Sequence, residues 1–76
     1  MQVKRHSLDW ASESFCRGEY TIKTVFHNRW SVRKGAGPVI GYIMRFGVHD
    51  YDAMDDRNQV LVRGVATMAE ALLAFE

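Results

Sequence analysis

A chain of 76 residues is long enough for one domain, and a domain of this size buries only about 60 % of the surface that its unfolded chain exposes. Hydrophobic residues make up 47 % of the chain, which excludes an intrinsically disordered protein. The net charge of +1 does not by itself indicate a polyanionic partner, but the charge is unevenly spread. Residues 1–45 hold eight Lys or Arg and three Asp or Glu, whereas residues 46–76 hold two and six. The sequence therefore predicts a single domain over residues 1–76 with a basic first part and an acidic second part.

Cysteine usage and hydropathy favour a reducing cytoplasm. Cys16 is the only cysteine, so no disulfide can form within the chain, whereas small secreted domains commonly carry an even set. Lys4 and Arg5 are followed by polar residues and not by the apolar segment of a signal peptide. The longest apolar runs are far too short to span a bilayer. We expect a cytoplasmic protein without a membrane partner.

The first elements in chain order are an amino-terminal arm and a hairpin. Residues 1–16 are expected to form an extended arm or an edge strand. After a bend at Gly18, residues 19–26 are rich in β-branched and aromatic side chains, and residues 29–33 alternate apolar and polar positions. With His27 and Asn28 as the turn, these two segments predict a β-hairpin.

Two further strands and two loops follow the hairpin. Residues 35–38 are a loop by composition, and residues 39–46 predict a strand that is apolar on both faces except at Arg45. Residues 49–58 are polar and acidic and predict a loop. Residues 59–63 predict the next strand.

The only predicted helix is at the end of the sequence. Thr67 and Glu70 have the spacing of a capping box, which places a helix over residues 67–76. Its apolar face is formed at helical spacing by Met68, Ala71, Leu72 and Phe75. The predicted fold class is therefore α+β, an antiparallel sheet of four or five strands with one carboxy-terminal helix packed on one face.

The alternation within the strands assigns residues to the two faces of this sheet. The inner face is expected to hold Tyr20, Ile22, Phe26, Trp30, Val32, Val60 and Val62. Because one helix covers one side only, the other face is expected to combine apolar residues with basic side chains. This basic sheet face is a candidate surface for a protein partner or for nucleic acid, and it comprises Lys23, Arg29, Arg33, Arg45 and Arg63.

The acidic loop is the second candidate surface, and its carboxylates are Asp50, Asp52, Asp55 and Asp56. Asp50 and Asp52 begin the spacing of a calcium loop, but Met54 occupies the next ligand position, and the required glycine and closing glutamate are missing. The three histidines and Cys16 are not arranged as the close pairs of a structural zinc site. We therefore expect a docking patch for a partner and no metal site.

Motifs for catalysis and for cofactors are missing from the sequence. No serine or cysteine lies in a glycine-framed nucleophile elbow. Gly35 and Gly37 are followed by Pro38 and not by a helix whose amides could hold phosphate. The expectation is a protein without enzymatic activity or cofactor.

Two stretches together carry a resemblance to known proteins. The hairpin Tyr20-Thr21-Ile22 and Trp30-Ser31-Val32, followed by a strand that leads into residues 64–71, is similar to small β-meander-plus-helix proteins encoded by phages and other mobile elements. The strand-to-helix step also resembles the three-stranded DNA-binding domains of plant ethylene-response factors and of phage integrase arms. Resemblance to the phage proteins implies an inhibitor that binds and blocks a host complex, as anti-CRISPR proteins do.

Three functions remain open on the sequence. The first is a non-enzymatic binding protein that occupies a surface of a larger protein or nucleoprotein complex. The second is a nucleic-acid-binding module that uses the basic sheet face. The third is a subunit of a homo-oligomer such as a homodimer, with apolar residues of the uncovered face buried between copies.

Overall fold

A computed structural model describes residues 14–76, which form one antiparallel sheet and one short helix. The six strands lie side by side in sequence order, so each pairs with the strand before it and the strand after it. Their bounds are Ser14–Arg17 (β1), Tyr20–Phe26 (β2), Arg29–Lys34 (β3), Val39–Gly47 (β4), Asp50–Asp55 (β5) and Val60–Val65 (β6). The helix, α1, spans Met68–Leu73.

The predicted fold class was wrong, because the fold is mostly β. The sheet has six strands in place of four or five, and the helix has only six residues. The main error lies in residues 49–58, which were expected to be a loop and instead contain β5. Within β5, Tyr51 and Ala53 point to the core and Asp52 between them points away from it, so the acidic residue does not prevent the strand from pairing on both sides.

The amino-terminal arm falls mostly outside the described residues. The expectation for residues 1–16 can be examined only at residues 14–16, which lie in β1 at one edge of the sheet.

The predicted hairpin forms as β2 and β3. Ile22 pairs with Val32 in its centre, and Asn28 provides the left-handed backbone of the turn with a φ of 57°. A bulge between Thr24 and Phe26 then interrupts the alternation. As a result the Phe26 side chain is 73 % exposed, and its predicted place on the inner face was wrong.

The core lies between the sheet and α1. Four fully buried side chains continue across β2 to β5, and Ala71 and Leu72 of α1 pack onto them. These four residues are Ile22, Val32, Ile43 and Ala53. Burying each of the larger ones stabilises the fold by about 1.5–3 kcal/mol. α1 itself lies over β4, β5 and β6.

β6 contains the two valines that were predicted for the inner face, and only one of them lies there. Val62 pairs with Ala53 and packs on the core as expected. Val60 pairs with Met54 and is 42 % exposed, so its predicted place on the inner face was wrong. Register shifts between β5 and β6 separate the two positions.

Thr67 begins the helix as its N-cap. Its Oγ1 accepts a hydrogen bond from the Glu70 amide at 3.1 Å, and its hydroxyl lies 3.3 Å from the Glu70 carboxylate, to which it donates. The helix ends at Leu73, earlier than predicted, and the next three amides bond to carbonyls three residues back. This tighter turn carries Phe75 onto the core. Within residues 14–76 no helix is long and apolar enough to cross a membrane.

Candidate functional site

The side of the sheet away from α1 has the composition of a binding site. Strand register and alternation place residues from all six strands on it, and we call this surface the far face. No helix or strand between Ser14 and Glu76 covers it. The residues of the far face on β2 to β6 include Thr21, Lys23, Arg29, Ser31, Arg33, Tyr42, Met44, Asp52, Met54 and Val60.

Three of the five predicted basic residues share the far face. Lys23 pairs with Ser31, and Arg29 and Arg33 lie on the same side of β3 at every second position. Arg45 is different, because it pairs with Tyr51, which packs on the core side. Arg63 lies in β6, four strand spacings or about 19 Å from Lys23 in β2. The basic sheet face expected from the sequence is therefore divided.

Arg29 and Tyr42 form the centre of the far face. The Arg29 guanidinium carbon lies 4.7 Å from the centroid of the Tyr42 ring, in the range of a cation–π contact. The Arg29 Nε atom is buried and has no hydrogen-bond partner among the described residues. The cation is thus held against an aromatic surface while one of its donors remains unused.

Small and sulfur-containing side chains surround this pair. Tyr42 pairs with Ser31 on β3 and with Met54 on β5, while Met44 pairs with Arg29. Ser31 is only 3 % exposed, because it is small and lies between larger neighbours. Tyr42, Met44 and Met54 are each half-buried. The centre of the far face is therefore apolar and aromatic, with charged groups around it.

The remaining charged groups of the far face differ in how they are held. One Nη of Arg33 donates to the Gly37 carbonyl at 3.1 Å, which fixes that side chain over the β3–β4 loop. The Asp52 carboxylate accepts a hydrogen bond from the Gly64 amide at 3.0 Å. Lys23 is exposed. The far face thus carries three cationic side chains and one carboxylate, and this carboxylate is already hydrogen-bonded to a backbone amide.

The four aspartates of the second candidate do not form one patch. Asp50 is exposed at the start of β5, and Asp56 is exposed in the following turn. Asp55 Oδ1 accepts from the amides of Arg57 at 2.8 Å and Gln59 at 2.9 Å. Asp55 and Asp52 therefore stabilise the backbone, and a docking role for the four carboxylates stays a prediction.

Exposed apolar side chains also collect at one end of the sheet, at the tips of two neighbouring hairpins. Phe26 of the β2–β3 hairpin is 73 % exposed, and the β4–β5 hairpin exposes Phe46 and Val48. The Arg45 amide donates to the Asn28 carbonyl at 2.9 Å and holds the two tips together. Sequence reasoning missed these residues, and their only signal was their place beside the two turns.

A groove of about 490 Å³ lies at the opposite end, between the β1–β2 turn and α1. Its lining includes Tyr20, Leu72 and Leu73 together with Glu19 and Glu76. The Tyr20 hydroxyl is buried and has no hydrogen-bond partner among residues 14–76. Burial, and then the charges of Glu76 and Glu19, raise the pKa of Tyr20, so the phenol stays protonated at neutral pH.

Neither a metal-ion site nor a match to a known protein adds to the surfaces described above. In the described part of the chain, no three His, Cys, Asp or Glu residues are grouped so that they could hold a metal ion. The chain matches no protein-family model, no curated protein and no solved structure. The functional argument therefore rests on the geometry of the far face.

Proposed function

We propose that this chain is a non-enzymatic binding protein whose far face contacts a larger protein or nucleoprotein complex. The observation that carries the proposal is the Arg29–Tyr42 pair with Met44 and Met54 beside it, on a face that no described element covers. Arg, Tyr and Met are enriched at the centres of protein interfaces, and Tyr and Arg dominate their binding energy. The far face has this composition at its middle and polar groups at its border.

The size of the face indicates how much of the molecule takes part. Six strands about 4.8 Å apart and about 20 Å long give a face of roughly 500 Å². A standard interface buries about 800 Å² on each partner. Phe26 pairs with Arg29 and so extends the far face towards the hairpin tips. We therefore include Phe26 in the contact surface.

A role as an inhibitor encoded by a mobile element remains part of the proposal. Its support is the resemblance of the hairpin and of the strand that leads into α1 to small phage proteins. The mode of action would be occupation of a surface that the host complex needs, which requires no catalytic group. A cytoplasmic location fits this role and the single exposed Cys16.

Nucleic-acid binding is the second candidate, because Lys23, Arg29 and Arg33 share one face with Tyr42. Two observations weaken it: Arg45 lies on the core side, and Asp52 places a negative charge on the same face as the three cations. Such binding would fall steeply with salt, since each neutralised phosphate releases counterions. Filter binding of mixed-sequence RNA and DNA at two salt concentrations tests it, and binding that does not change with salt would exclude it.

A capture experiment with matched variants tests the proposed function. Wild-type protein, Tyr42→Ser and Leu73→Ser are immobilised and exposed to the same host lysate, after circular dichroism has shown that all three fold. Leu73 is a suitable control because it is 61 % exposed on α1, on the other side of the sheet. We expect a protein that wild type and Leu73→Ser retain and Tyr42→Ser loses at least tenfold. Equal recovery by all three variants would refute the far face as the binding surface.

A further inference from the structure

We infer that the partner presents a carboxylate side chain to Arg29, from a protein segment in which acidic and apolar residues are neighbours. This inference rests on the proposed function, since it assigns the chemistry of the partner that the far face would bind. The inference concerns the chemical group that binds at the centre of the far face, and not the area of the whole contact.

The first step is the state of the Arg29 guanidinium. Stacking on Tyr42 at 4.7 Å fixes the plane of the group, so little side-chain freedom is lost when it forms further hydrogen bonds. Its Nε is buried without an acceptor within residues 14–76. A buried donor without a partner is unfavourable, and an arriving oxyanion would remove that cost by a small shift of the group. Carboxylates fit a guanidinium with two parallel hydrogen bonds.

The second step is the charge around Arg29. Lys23 on β2 and Arg33 on β3 lie on the same face. The carboxylate of Asp52 accepts from the Gly64 amide and lies two strands away from Arg29, with Met44 between them in the register, so it is not paired directly with Arg29. A face with this excess of positive charge favours an anionic partner and disfavours a basic one.

The third step separates a carboxylate on a protein from a phosphate on a nucleic acid. Met44 lies directly beside Arg29 in the register, and Met54 is beside Tyr42. A phosphate backbone needs a row of cations along its path, whereas Arg45 is on the core side and Arg63 is about 19 Å from Lys23. The far face therefore offers one oriented guanidinium surrounded by apolar side chains. This arrangement is complementary to a partner segment in which an acidic residue lies between apolar residues.

The test follows the Nε–Hε proton of Arg29 by NMR, since the burial of Nε protects this proton from exchange with water. Three probes are titrated into the protein: a twelve-residue peptide of alternating Glu and Leu, the same peptide with Gln in place of Glu, and a twelve-nucleotide oligothymidine. We expect a saturable shift with the Glu peptide and at least tenfold weaker binding of the other two. Arg29→Lys, which retains the charge but not the planar group, should weaken the Glu peptide at least fivefold, whereas Arg57→Lys, at an exposed position in the β5–β6 turn, should not.

Three results would overturn the inference. These are the absence of a shift with the Glu peptide, equal affinity for the Gln peptide, and tighter binding of the oligonucleotide. Equal affinity for the two peptides would leave the far face as a protein-binding surface, so this failure differs from failure of the proposed function. In that case Tyr42→Ser would still fail to capture the partner that wild-type protein retains.

Discussion

The ring of Phe75 lies so close to Gly41 that a Cβ atom at position 41 would come within 2.9 Å of the Phe75 Cζ atom. The same Cβ would also overlap the carbonyl oxygen of Met54 on the next strand. Gly41 pairs with Val32 and Asp55 in the interior of the sheet. Phe75, two residues after the end of α1, thus packs on β4 where there is no side chain, and this contact holds the helix on the core side of the sheet.

Gly41→Ala should destabilise the fold by about 3 kcal/mol, because neither the Met54 backbone nor the packed Phe75 ring can move away without cost. Gly47→Ala is the matched control in the same strand. Its added Cβ would lie 3.5 Å from the Asp50 Cβ, an ordinary contact, so a change within about 0.5 kcal/mol is expected. Urea unfolding measures both values, and equal effects would show that the contact between Phe75 and Gly41 is not tight.

Asp55→Ala should lower the free energy of unfolding by about 1–2 kcal/mol, since the Arg57 and Gln59 amides lose their charged acceptor in the β5–β6 turn. Asp56→Ala removes a neighbouring exposed carboxylate and should change it by less than about 0.5 kcal/mol. Thermal unfolding of the two variants compares them directly. A larger loss for Asp56→Ala would contradict the assignment of these side chains.

Tyr20→Phe should raise the free energy of unfolding by about 1 kcal/mol at pH 8, because it removes a buried hydroxyl that lacks a partner within residues 14–76. Burial and the nearby Glu76 and Glu19 raise the pKa of Tyr20 in the folded state. The folded protein therefore holds this proton more tightly than the unfolded chain, and stability falls as the pH rises above about 10, the ordinary pKa of tyrosine.

The advantage of Tyr20→Phe over wild type should consequently grow between pH 8 and pH 10.5. Urea unfolding of both proteins at the two pH values gives the comparison. A difference that stays constant with pH would mean that the Tyr20 phenol is not perturbed by folding. A stability loss at pH 8 would mean that its hydroxyl has a partner.

The elements with strong local patterns were predictable, and β5 was not. β2 and β3 alternate β-branched and aromatic residues around a two-residue turn, and the Thr67 cap marks the start of α1. In β5, aspartates occupy positions that strands seldom give to them. Asp52 is satisfied by the Gly64 amide from the neighbouring strand, a contact that no local pattern reveals.

The candidate site was predictable only within one hairpin. Lys23, Arg29 and Arg33 were assigned to one face correctly, because alternation holds across the centre of β2 and β3. A single bulge moved Phe26 off the predicted face, since an extra residue reverses every later position. The contact between Tyr42 and Arg29 could not be predicted, since it depends on the register between β3 and β4.

Site-specific photo-crosslinking in host cells tests the central claim most directly. A photoreactive residue replaces Val60 or Lys23, two exposed positions of the far face, and in a parallel sample it replaces Ala69, which is exposed on α1. We predict that both far-face positions crosslink the same host protein and that position 69 does not. Adducts within the chain itself, adducts from position 69 alone, or the same adduct from all three positions would contradict a partner bound on the far face.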